Sequence, residues 1–225
     1  MRHSPIAAVV LTNGDVDHVA GLLSLRERQG FRLVALPPVL AALQENPIFS
    51  VLAEGVVERV EARPGEPLGI GGLELELFPV PGKAPLYREG ADPVIGAESG
   101  ETIGVMVRGG QGTLAYVPGC ADLTPGLLER LGQADALFFD GTLYTDDEMI
   151  AAGVGQKTGR RMGHVPISGP GGSLERLKDL PARKKVYIHV NNTNPILVEG
   201  SAERAAVEAA GFAIAFDGLE ISFLT

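Results

Sequence analysis

The chain has little cysteine and no long apolar run, and each absence excludes a class of protein. Cys120 is the only cysteine, so the chain forms no internal disulfide and carries no Cys-x-x-Cys zinc knuckle. A reducing cytoplasm fits this composition, although a periplasmic protein can also lack disulfides. No stretch approaches the ~20 apolar residues that span a bilayer, and the N-terminal apolar segment lacks the small-residue cleavage site of a signal peptide. We therefore expect a cytoplasmic protein without a membrane span.

Positive charge is scarce as well. The chain has 19 Lys and Arg residues against 28 Asp and Glu residues, a formal net charge of −9, and no basic run. Duplex DNA and anionic membranes both select basic surfaces, so we expect no nucleic-acid partner. With 225 residues, 45% of them hydrophobic, the chain is long enough for one sizeable core, and we expect a single domain over residues 1–225.

The first part of the chain alternates strand-like and helix-like patterns. The short apolar run 6–11 predicts a buried strand, and apolar residues at helical spacing predict a helix over 18–28. Residues 32–36 predict the next strand, and 37–46 a helix with proline in its first turn. This alternation is typical of an α/β fold.

The middle of the chain changes character. Segments of strand length are separated by Gly-rich turns at 69–72 and 108–112, which predicts an antiparallel meander. The predicted meander strands are 56–63, 73–80, 102–108 and 113–119. The polar, proline-bearing stretch 82–100 predicts a surface loop over a site.

In the last third of the chain, helix-like and strand-like patterns alternate again. Helices are predicted at 125–132, 173–180 and 201–211, and strands at 134–140 and 184–190. A closing hairpin is predicted around Asp217-Gly218.

Polar residues gather where apolar strands end. In open α/β sheets ligands lie beyond the carboxyl ends of strands, so these residues are predicted to converge. Aspartate and imidazole together suit zinc, iron or manganese. The candidates at strand ends are Asn13, Asp15, Asp17, His18, Cys120, Asp140 and His189, with His164 in a long loop.

Each candidate also has an ordinary structural explanation. Asp15 or Asp17 could cap the helix that follows, since Asp is a favoured N-cap residue. His189 could be a core imidazole bonded to a backbone carbonyl, and Asp140 a turn aspartate before Gly141.

Two further residues are assigned little. Cys120 is interpreted as a small buried hydrophobe, and whether it ever contacts a metal stays open. His3 precedes the first strand and receives no role. The functional interpretation depends on the set, not on any member alone.

The segment "TNGDVDH" (12–18) resembles a degenerate form of the His-x-His-x-Asp-His motif of the metallo-β-lactamase superfamily. Asn13 and Asp15 take the positions of the first two histidines, while Asp17 and His18 keep the closing pair. More specifically, five blocks resemble the pyrroloquinoline quinone (PQQ) biosynthesis protein B family. The blocks are 11–27, 116–121, 137–149, 159–169 and 187–197.

The resemblance implies an α/β fold, a metallo-β-lactamase-like αββα sandwich with mixed sheets. Members of the family carry an additional N-terminal segment, with a glycine-rich strand-turn and a cysteine-rich zinc-binding stretch. Neither is found here, so we expect part of the N-terminal sheet to be lacking.

The resemblance also implies which half of the superfamily's metal site survives. The first metal position uses three histidines, and here Asn13 and Asp15 replace two of them. The third should fall within 78–87, which contains no histidine, and the bridging aspartate falls near Gly119-Cys120. The tri-histidine position is therefore predicted to be lost.

The second metal position is retained as Asp17, His18 and His189. Two imidazoles and one carboxylate with open positions favour non-haem iron(II) and oxygen chemistry. Hydrolytic zinc sites use the same ligands. We therefore expect Fe²⁺, with Zn²⁺ as the alternative.

Three nearby residues receive roles on the same basis. Asp15 is a fourth ligand or an acceptor that orients His18. Asp140 and His164 resemble the acid/base pair beside the metals in related phosphodiesterases, so the carboxylate would fix the imidazole and the imidazole would carry protons.

Substrate contacts are assigned to polar residues that flank the site. Arg160 or Arg161 could bind a substrate carboxylate, or both could be solvated surface arginines. Asn191, Asn192 and Asn194 crowd the exit of a predicted strand; Asn192 is taken as the substrate candidate, while most of these side chains are expected to order the loop.

The family resemblance implies a role in the synthesis of PQQ, which is assembled from linked glutamate and tyrosine. Our hypothesis is an iron-dependent oxygenase that hydroxylates the tyrosine ring of the cross-linked Glu-Tyr precursor. The alternative is a soluble carrier of PQQ or its precursor towards the periplasm, and a zinc hydrolase is a third option. The expected partner is thus a small peptide-derived substrate or PQQ, and a homodimer is left open.

Overall fold

The computed structural model describes residues 4–223 of the chain, so His3 lies outside the described residues. The strands are β1 Ala8–Val10, β2 Phe31–Ala35, β3 Val57–Glu61, β4 Pro67–Ile70, β5 Leu73–Pro79, β6 Ile103–Gly109, β7 Gly112–Val117, β8 Ala136–Asp140, β9 Lys184–Ile188 and β10 Phe212–Ile214. The α-helices are α1 Val16–Val19, α2 Pro37–Glu45, α3 Pro125–Leu131, α4 Glu148–Ala151, α5 Ser173–Leu177 and α6 Ala202–Ala209. The 3-10 helices are Ala20–Leu25, Pro47–Val51, Leu86–Arg88, Arg160–Met162 and Pro195–Leu197.

The smaller sheet has the order β1-β2-β3 and is parallel throughout. The sequence prediction that 56–63 belongs to the antiparallel meander is therefore wrong: β3 pairs in parallel with β2, with Phe31 opposite Val57. The cause is the helical segment between the two strands, α2 and the 3-10 helix after it. A crossover of this kind returns the chain in the same direction.

The larger sheet has the order β10-β9-β8-β7-β6-β5-β4. Strands β4 to β7 form an antiparallel meander, whereas β7 to β10 pair in parallel, so the sheet is mixed. Part of the predicted turn 69–72 is strand, because β4 extends to Ile70. The chain reverses at Gly71 and Gly72, which have φ values of +59° and +84° that favour glycine.

The predicted C-terminal hairpin is wrong. β10 pairs in parallel with β9 after the α6 crossover, and within the described residues no strand follows the turn at Gly218. The chain turns there, with the Leu219 amide donating to the Phe216 carbonyl at 3.0 Å. Beyond the turn the Ser222 carbonyl accepts a hydrogen bond from the side chain of Lys184, so a side-chain contact takes the place of a ladder.

Three packed clusters arrange the elements as αββα layers, as expected. Leu33 of β2 points into a cluster with Leu43 of α2, and its neighbour Val34 points the other way, against Leu77 of β5 between the sheets. The far face of the larger sheet packs against α3, α5 and α6, with Leu131 buried there. The helix predicted over 18–28 is shorter: α1 passes directly into a 3-10 helix.

The sheets meet at the edge where the candidate residues lie. Beyond β1, Asn13 forms an isolated bridge with Thr102, and the Ile103 amide donates to the Thr12 carbonyl at 2.8 Å. This link brings the end of β1 to the larger sheet, where β8 ends in Asp140 and β9 ends just before His189.

Candidate metal centre

Three side chains from opposite ends of the chain form one ligand cluster: Asp17, His18 and His189. The two Nε2 atoms lie 3.3 Å apart, and Asp17 Oδ2 lies 3.0 Å from Nε2 of His189 and 3.7 Å from that of His18. Ligands about 2.0–2.2 Å from a common ion have such spacings. The retained half of the superfamily site therefore fits a single divalent metal.

Two threonine hydroxyls orient the imidazoles. Nδ1 of His18 lies 3.3 Å from Thr12 Oγ1, and Nδ1 of His189 lies 2.8 Å from Thr142 Oγ1. Thr142 donates its hydroxyl to Asp140 Oδ1 at 2.6 Å, so it accepts the Nδ1–H of His189. The Nε2 atoms of both imidazoles face the cluster, as the ligand atoms of metal-binding histidines do.

The backbone at His189 is strained. Its φ is +55°, a left-handed conformation that costs energy for a residue other than glycine. Flanking bonds hold it there, because the Gly141 amide donates to the Ile188 carbonyl at 2.8 Å and the Asn191 amide to the Thr142 carbonyl at 3.0 Å. The chain therefore fixes this imidazole at some cost in conformational energy.

Electrostatics prepare the cluster for a cation. The hydrogen bond from His189, opposed by burial, lowers the pKa of Asp17 to about 2. Burial lowers the pKa of His18, which favours its neutral form. Burial also acts to lower the pKa of His189, but the bond to Asp17 and the charge of Asp140 outweigh it and the pKa is raised. A metal ion at this cluster would compete with a proton for His189.

Asp140 and His164 meet beside the cluster, with Asp140 Oδ2 and His164 Nδ1 2.7 Å apart. Asp140 is fully buried and also accepts from the Cys120 amide at 3.0 Å and the Thr142 amide at 3.1 Å. Burial raises its pKa, but the charge and hydrogen bond of His164 outweigh burial and the pKa is lowered. Asp140 is thus both a turn aspartate and the partner that fixes His164.

Asp15 lies outside the ligand cluster. Its Oδ1 accepts from the Leu86 amide at 3.0 Å, and its Oδ2 lies 3.4 Å from Nζ of Lys83. It stands at the N-cap position of α1, but its side chain caps no amide of that helix. Nδ1 of His18 lies beside Thr12 Oγ1, while the carboxylate of Asp15 pairs with Lys83.

The substrate candidates are distributed differently from the prediction. Arg160 donates to the Pro170 carbonyl at 3.3 Å, and Arg161 donates to Glu89 Oε2 at 3.1 Å. Neither is among the residues that line the main cavity. Asn192 lines a separate groove next to His189.

A cavity of about 430 Å³ opens beside the cluster, within the range of small-molecule sites. Loop 82–100 forms part of its wall, as predicted. Its polar wall includes His164, Lys83, Lys157 and Gln156, and its apolar wall Leu86, Met149 and Met162.

Cys120 is a buried thiol away from the ligand cluster. Its Sγ donates to the Asp122 carbonyl at 2.9 Å. Burial, reinforced by the charge of Asp140, raises its pKa. The residue therefore stays a neutral thiol, as its ordinary interpretation predicts.

The sequence analysis did not identify Thr12, Thr142 or Lys83 as site residues. Threonine and lysine are rarely metal ligands, and their importance depends on partners distant in the chain. The position of Thr142 directly after "FFDG" was the available clue, since a turn aspartate commonly accepts from the backbone amide two residues on, as Asp140 does from Thr142.

Comparisons with known proteins identify the superfamily, close relatives and the fold. Residues 1–190 match the family model of the Beta-lactamase superfamily domain. The chain is 54% identical over 222 residues to Coenzyme PQQ synthesis protein B of Methylobacterium nodulans, an alignment that covers 98% of this chain and 74% of the relative. The 1.98 Å crystal structure of Zn²⁺-bound PqqB from Methylobacterium extorquens is 53% identical and superposes with a TM-score of 0.95, covering 97% of this chain and 74% of the other.

A more distant structure shares only the fold. Unliganded yeast PDE1 superposes with a TM-score of 0.65 at 15% identity, covering 95% of this chain and 67% of that one. Within residues 4–223, no helix combines the length and apolarity that crossing a membrane requires.

Proposed function

The chain belongs to the coenzyme PQQ synthesis protein B family of the β-lactamase superfamily, and from this premise we propose that it hydroxylates the tyrosine ring of a cross-linked Glu-Tyr precursor. Its role lies in PQQ biosynthesis, as its relatives are named. The observation that carries the finer proposal is the cluster of Asp17, His18 and His189, with two Nε2 atoms 3.3 Å apart. Beside it lies the pair of Asp140 and His164, which together with His189 forms the second candidate cluster.

Asp17, His18 and His189 would hold the metal. The fold and the Zn²⁺-bound relative support metal binding, and the ligand set suits iron(II) as well as zinc. When bound, iron would supply the redox chemistry with O₂ that ring hydroxylation needs. Placing one oxygen atom of O₂ in a ring C–H bond releases water and consumes two electrons and two protons, so the reaction also requires an external reductant.

His164 is positioned to move the protons of this reaction. Its Nδ1 is held by Asp140 at 2.7 Å, and the imidazole lines the cavity, so Nε2 is the atom free to exchange a proton with a substrate. The buried carboxylate fixes the tautomer and stabilises the imidazolium that forms. His164 and Asp140 act here as the acid/base pair.

The cavity suits an aromatic substrate with carboxylates. Leu86, Met149 and Met162 offer an apolar surface for a ring, and Lys157 offers a cation for a carboxylate. We assign carboxylate binding to Lys157 before Arg160, whose guanidinium bonds a backbone carbonyl.

Two of the residues predicted from the sequence keep a place in this proposal. Arg161 reaches the substrate when it exchanges Glu89 for a substrate carboxylate, and Asn192 contacts a substrate that extends past His189 into the neighbouring groove.

The test is an anaerobic Fe²⁺ titration of the wild type, His189→Ala and His164→Ala, followed by O₂ uptake with a Glu-Tyr-derived substrate and ascorbate. We expect one iron per wild-type chain with O₂ uptake, no iron in His189→Ala, and one iron without O₂ uptake in His164→Ala. A folded wild type that binds no iron contradicts the proposal.

The lysine-lined cavity also favours the carrier role, because PQQ is itself an anionic aromatic. Equilibrium dialysis of PQQ against metal-free protein separates the two functions. Tight binding of PQQ without metal, together with no substrate-dependent O₂ uptake by the iron-loaded chain, would support the carrier.

A further inference from the structure

A nearly buried ammonium lies beside the metal cluster. The side chain of Lys83 is 10% exposed, and its Nζ lies 3.4 Å from Asp15 Oδ2, 3.3 Å from Glu89 Oε1 and 3.0 Å from the Ala84 carbonyl. An ammonium withdrawn from water requires such oxygen partners. The three oxygens hold it in one place.

This place is where the lost half of the superfamily's metal site would form. Lys83 belongs to segment 78–87, and its partner Asp15 belongs to the leading motif. On Gly119, where a bridging aspartate would stand, an added Cβ would lie 3.8 Å from His164 Cε1 and 3.9 Å from Asn13 Nδ2. Lys83 and Gly119 therefore both adjoin the leading motif, Lys83 through Asp15 and Gly119 through Asn13.

The residues present there do not fit a second ion. Asn13 Oδ1 accepts from the Asp15 amide at 2.9 Å, both Asp15 oxygens are engaged, and Gly119 has no side chain. Within residues 4–223, neither of the two clusters able to hold a metal includes Asp15.

The backbone at Gly163 also leaves space for the aliphatic part of the Lys83 side chain. Gly163 has a φ of +88°, and an added Cβ there would lie 3.1 Å from Lys83 Cγ. A side chain at position 163 would displace the methylene groups of Lys83, which instead pack against the glycine backbone.

We propose that the Lys83 ammonium stands in place of the superfamily's other metal ion. It supplies a fixed positive charge that neutralises Asp15, ties loop 82–100 to the leading motif and excludes a second divalent cation. This inference rests on the metal centre of the proposed function but not on its reaction, so metal counting tests it independently of O₂ uptake.

The test places histidines at positions 13 and 15 and measures whether Lys83 still prevents a second metal ion from binding. Zn²⁺ is titrated by calorimetry, and bound zinc is counted after dialysis, for the wild type, N13H/D15H, N13H/D15H/K83A and N13H/D15H/K157A. Lys157 is the matched control, since it also pairs with Glu89, at 3.8 Å, and lines the same cavity. We expect one ion in the wild type, N13H/D15H and N13H/D15H/K157A. N13H/D15H/K83A should gain a second ion, at least about tenfold tighter than any residual second-site binding in the other three.

Two ions in the wild type or in N13H/D15H would overturn the proposal, because Lys83 would then exclude nothing. One ion in a folded N13H/D15H/K83A would overturn it as well. If circular dichroism shows that the histidine variants do not fold, the single variants K83M and K157M of the native chain provide the test instead. We expect K83M, which leaves the Asp15 carboxylate without its cation, to lower Tm more than K157M does, and equal Tm values for the two variants would refute the inference.

Discussion

At the scale of single residues, the Thr142 hydroxyl connects the metal cluster to the acid/base pair. Its Oγ1 lies 2.6 Å from Asp140, 2.8 Å from Nδ1 of His189 and 3.1 Å from Nδ1 of His164. One hydroxyl thus fixes a metal ligand and touches both members of the pair. Because it is the donor to Asp140, it determines that His189 presents Nε2 to the metal.

Replacing Thr142 with valine should therefore loosen His189 without changing the ligand set. We expect Thr142→Val to bind Fe²⁺ or Zn²⁺ about 10–100-fold more weakly, as for other groups that orient metal-binding histidines. The buried Asp140 also loses a partner, which should cost about 1–3 kcal/mol in the free energy of unfolding.

Calorimetric titration and urea unfolding measure both effects. Thr113→Val is the matched control, since Thr113 bonds Asp135 through its backbone amide. Metal affinity of Thr142→Val equal to that of the control would contradict the orienting role.

The sequence predicted the charged members of the site better than the groups that position them. Asp17, His18 and His189 stand where strands end, and the resemblance to known motifs aligned them before their contacts were known. Lys83 was missed because a lysine in a polar loop predicts solvent exposure, and only the distant carboxylates of Asp15 and Glu89 make it a buried cation. Arg161, predicted to bind substrate, donates to Glu89 in the structure, a contact that the sequence did not indicate.

At the scale of elements, one carboxylate joins two neighbouring strands and a helix. Glu76 on β5 has a side chain only 14% exposed, 2.8 Å from Arg108 on β6, and it also pairs with Arg130 on α3. Burial raises its pKa, but the hydrogen bonds from Arg108 and Arg130 outweigh burial and the pKa is lowered. The stabilisation is therefore present above the ordinary Glu pKa of 4.5 and is lost as pH falls through the lower folded-state value.

Glu76→Gln should thus lower the free energy of unfolding at neutral pH and lower it less at acidic pH. We expect a loss of about 1–3 kcal/mol in unfolding free energy at pH 7, shrinking as the pH falls below the ordinary Glu value. Urea unfolding at pH 7 and at acidic pH measures this.

The matched control is Glu74→Gln on the same strand, 54% exposed and 3.6 Å from Arg108, which should cost under about 1 kcal/mol. A loss in Glu76→Gln that is equal at both pH values would contradict the electrostatic account.

Elements were predicted more reliably than their pairing. The apolar run of β2 and the alternation of β3 identify both as strands, yet alternation does not say which strand lies next to which. β3 joins the parallel sheet because α2 carries the chain back, and β10 pairs with β9 after α6 for the same reason. The turn at Asp217-Gly218 forms, but a turn sequence alone does not supply a partner strand.

At the scale of the whole molecule, the candidate metal centre joins residues from both ends of the chain. The two imidazoles belong to residues 171 positions apart, and the link between Asn13 and Thr102 joins the two sheets next to them. The αββα arrangement was predictable because the resemblance spans blocks from 11 to 197, whereas periodicity alone indicated only an α/β class. The chain aligns with about three quarters of its relatives' length.

Metal binding should consequently stabilise the whole fold. An unfolded chain cannot hold Asp17, His18 and His189 together, so the ion binds the folded state alone and adds about 2.7 kcal/mol at a free concentration of 100 Kd. For a chain of this size that corresponds to a rise of roughly 5–10 °C in Tm.

Scanning calorimetry with Zn²⁺, and with Fe²⁺ under anaerobic conditions, measures the rise in Tm, and a chelator should reverse it. Mg²⁺ should give none because it prefers oxygen ligands, and His189→Ala should respond to no metal. An equal rise in His189→Ala would place the stabilising ion elsewhere and refute a centre formed from both ends of the chain.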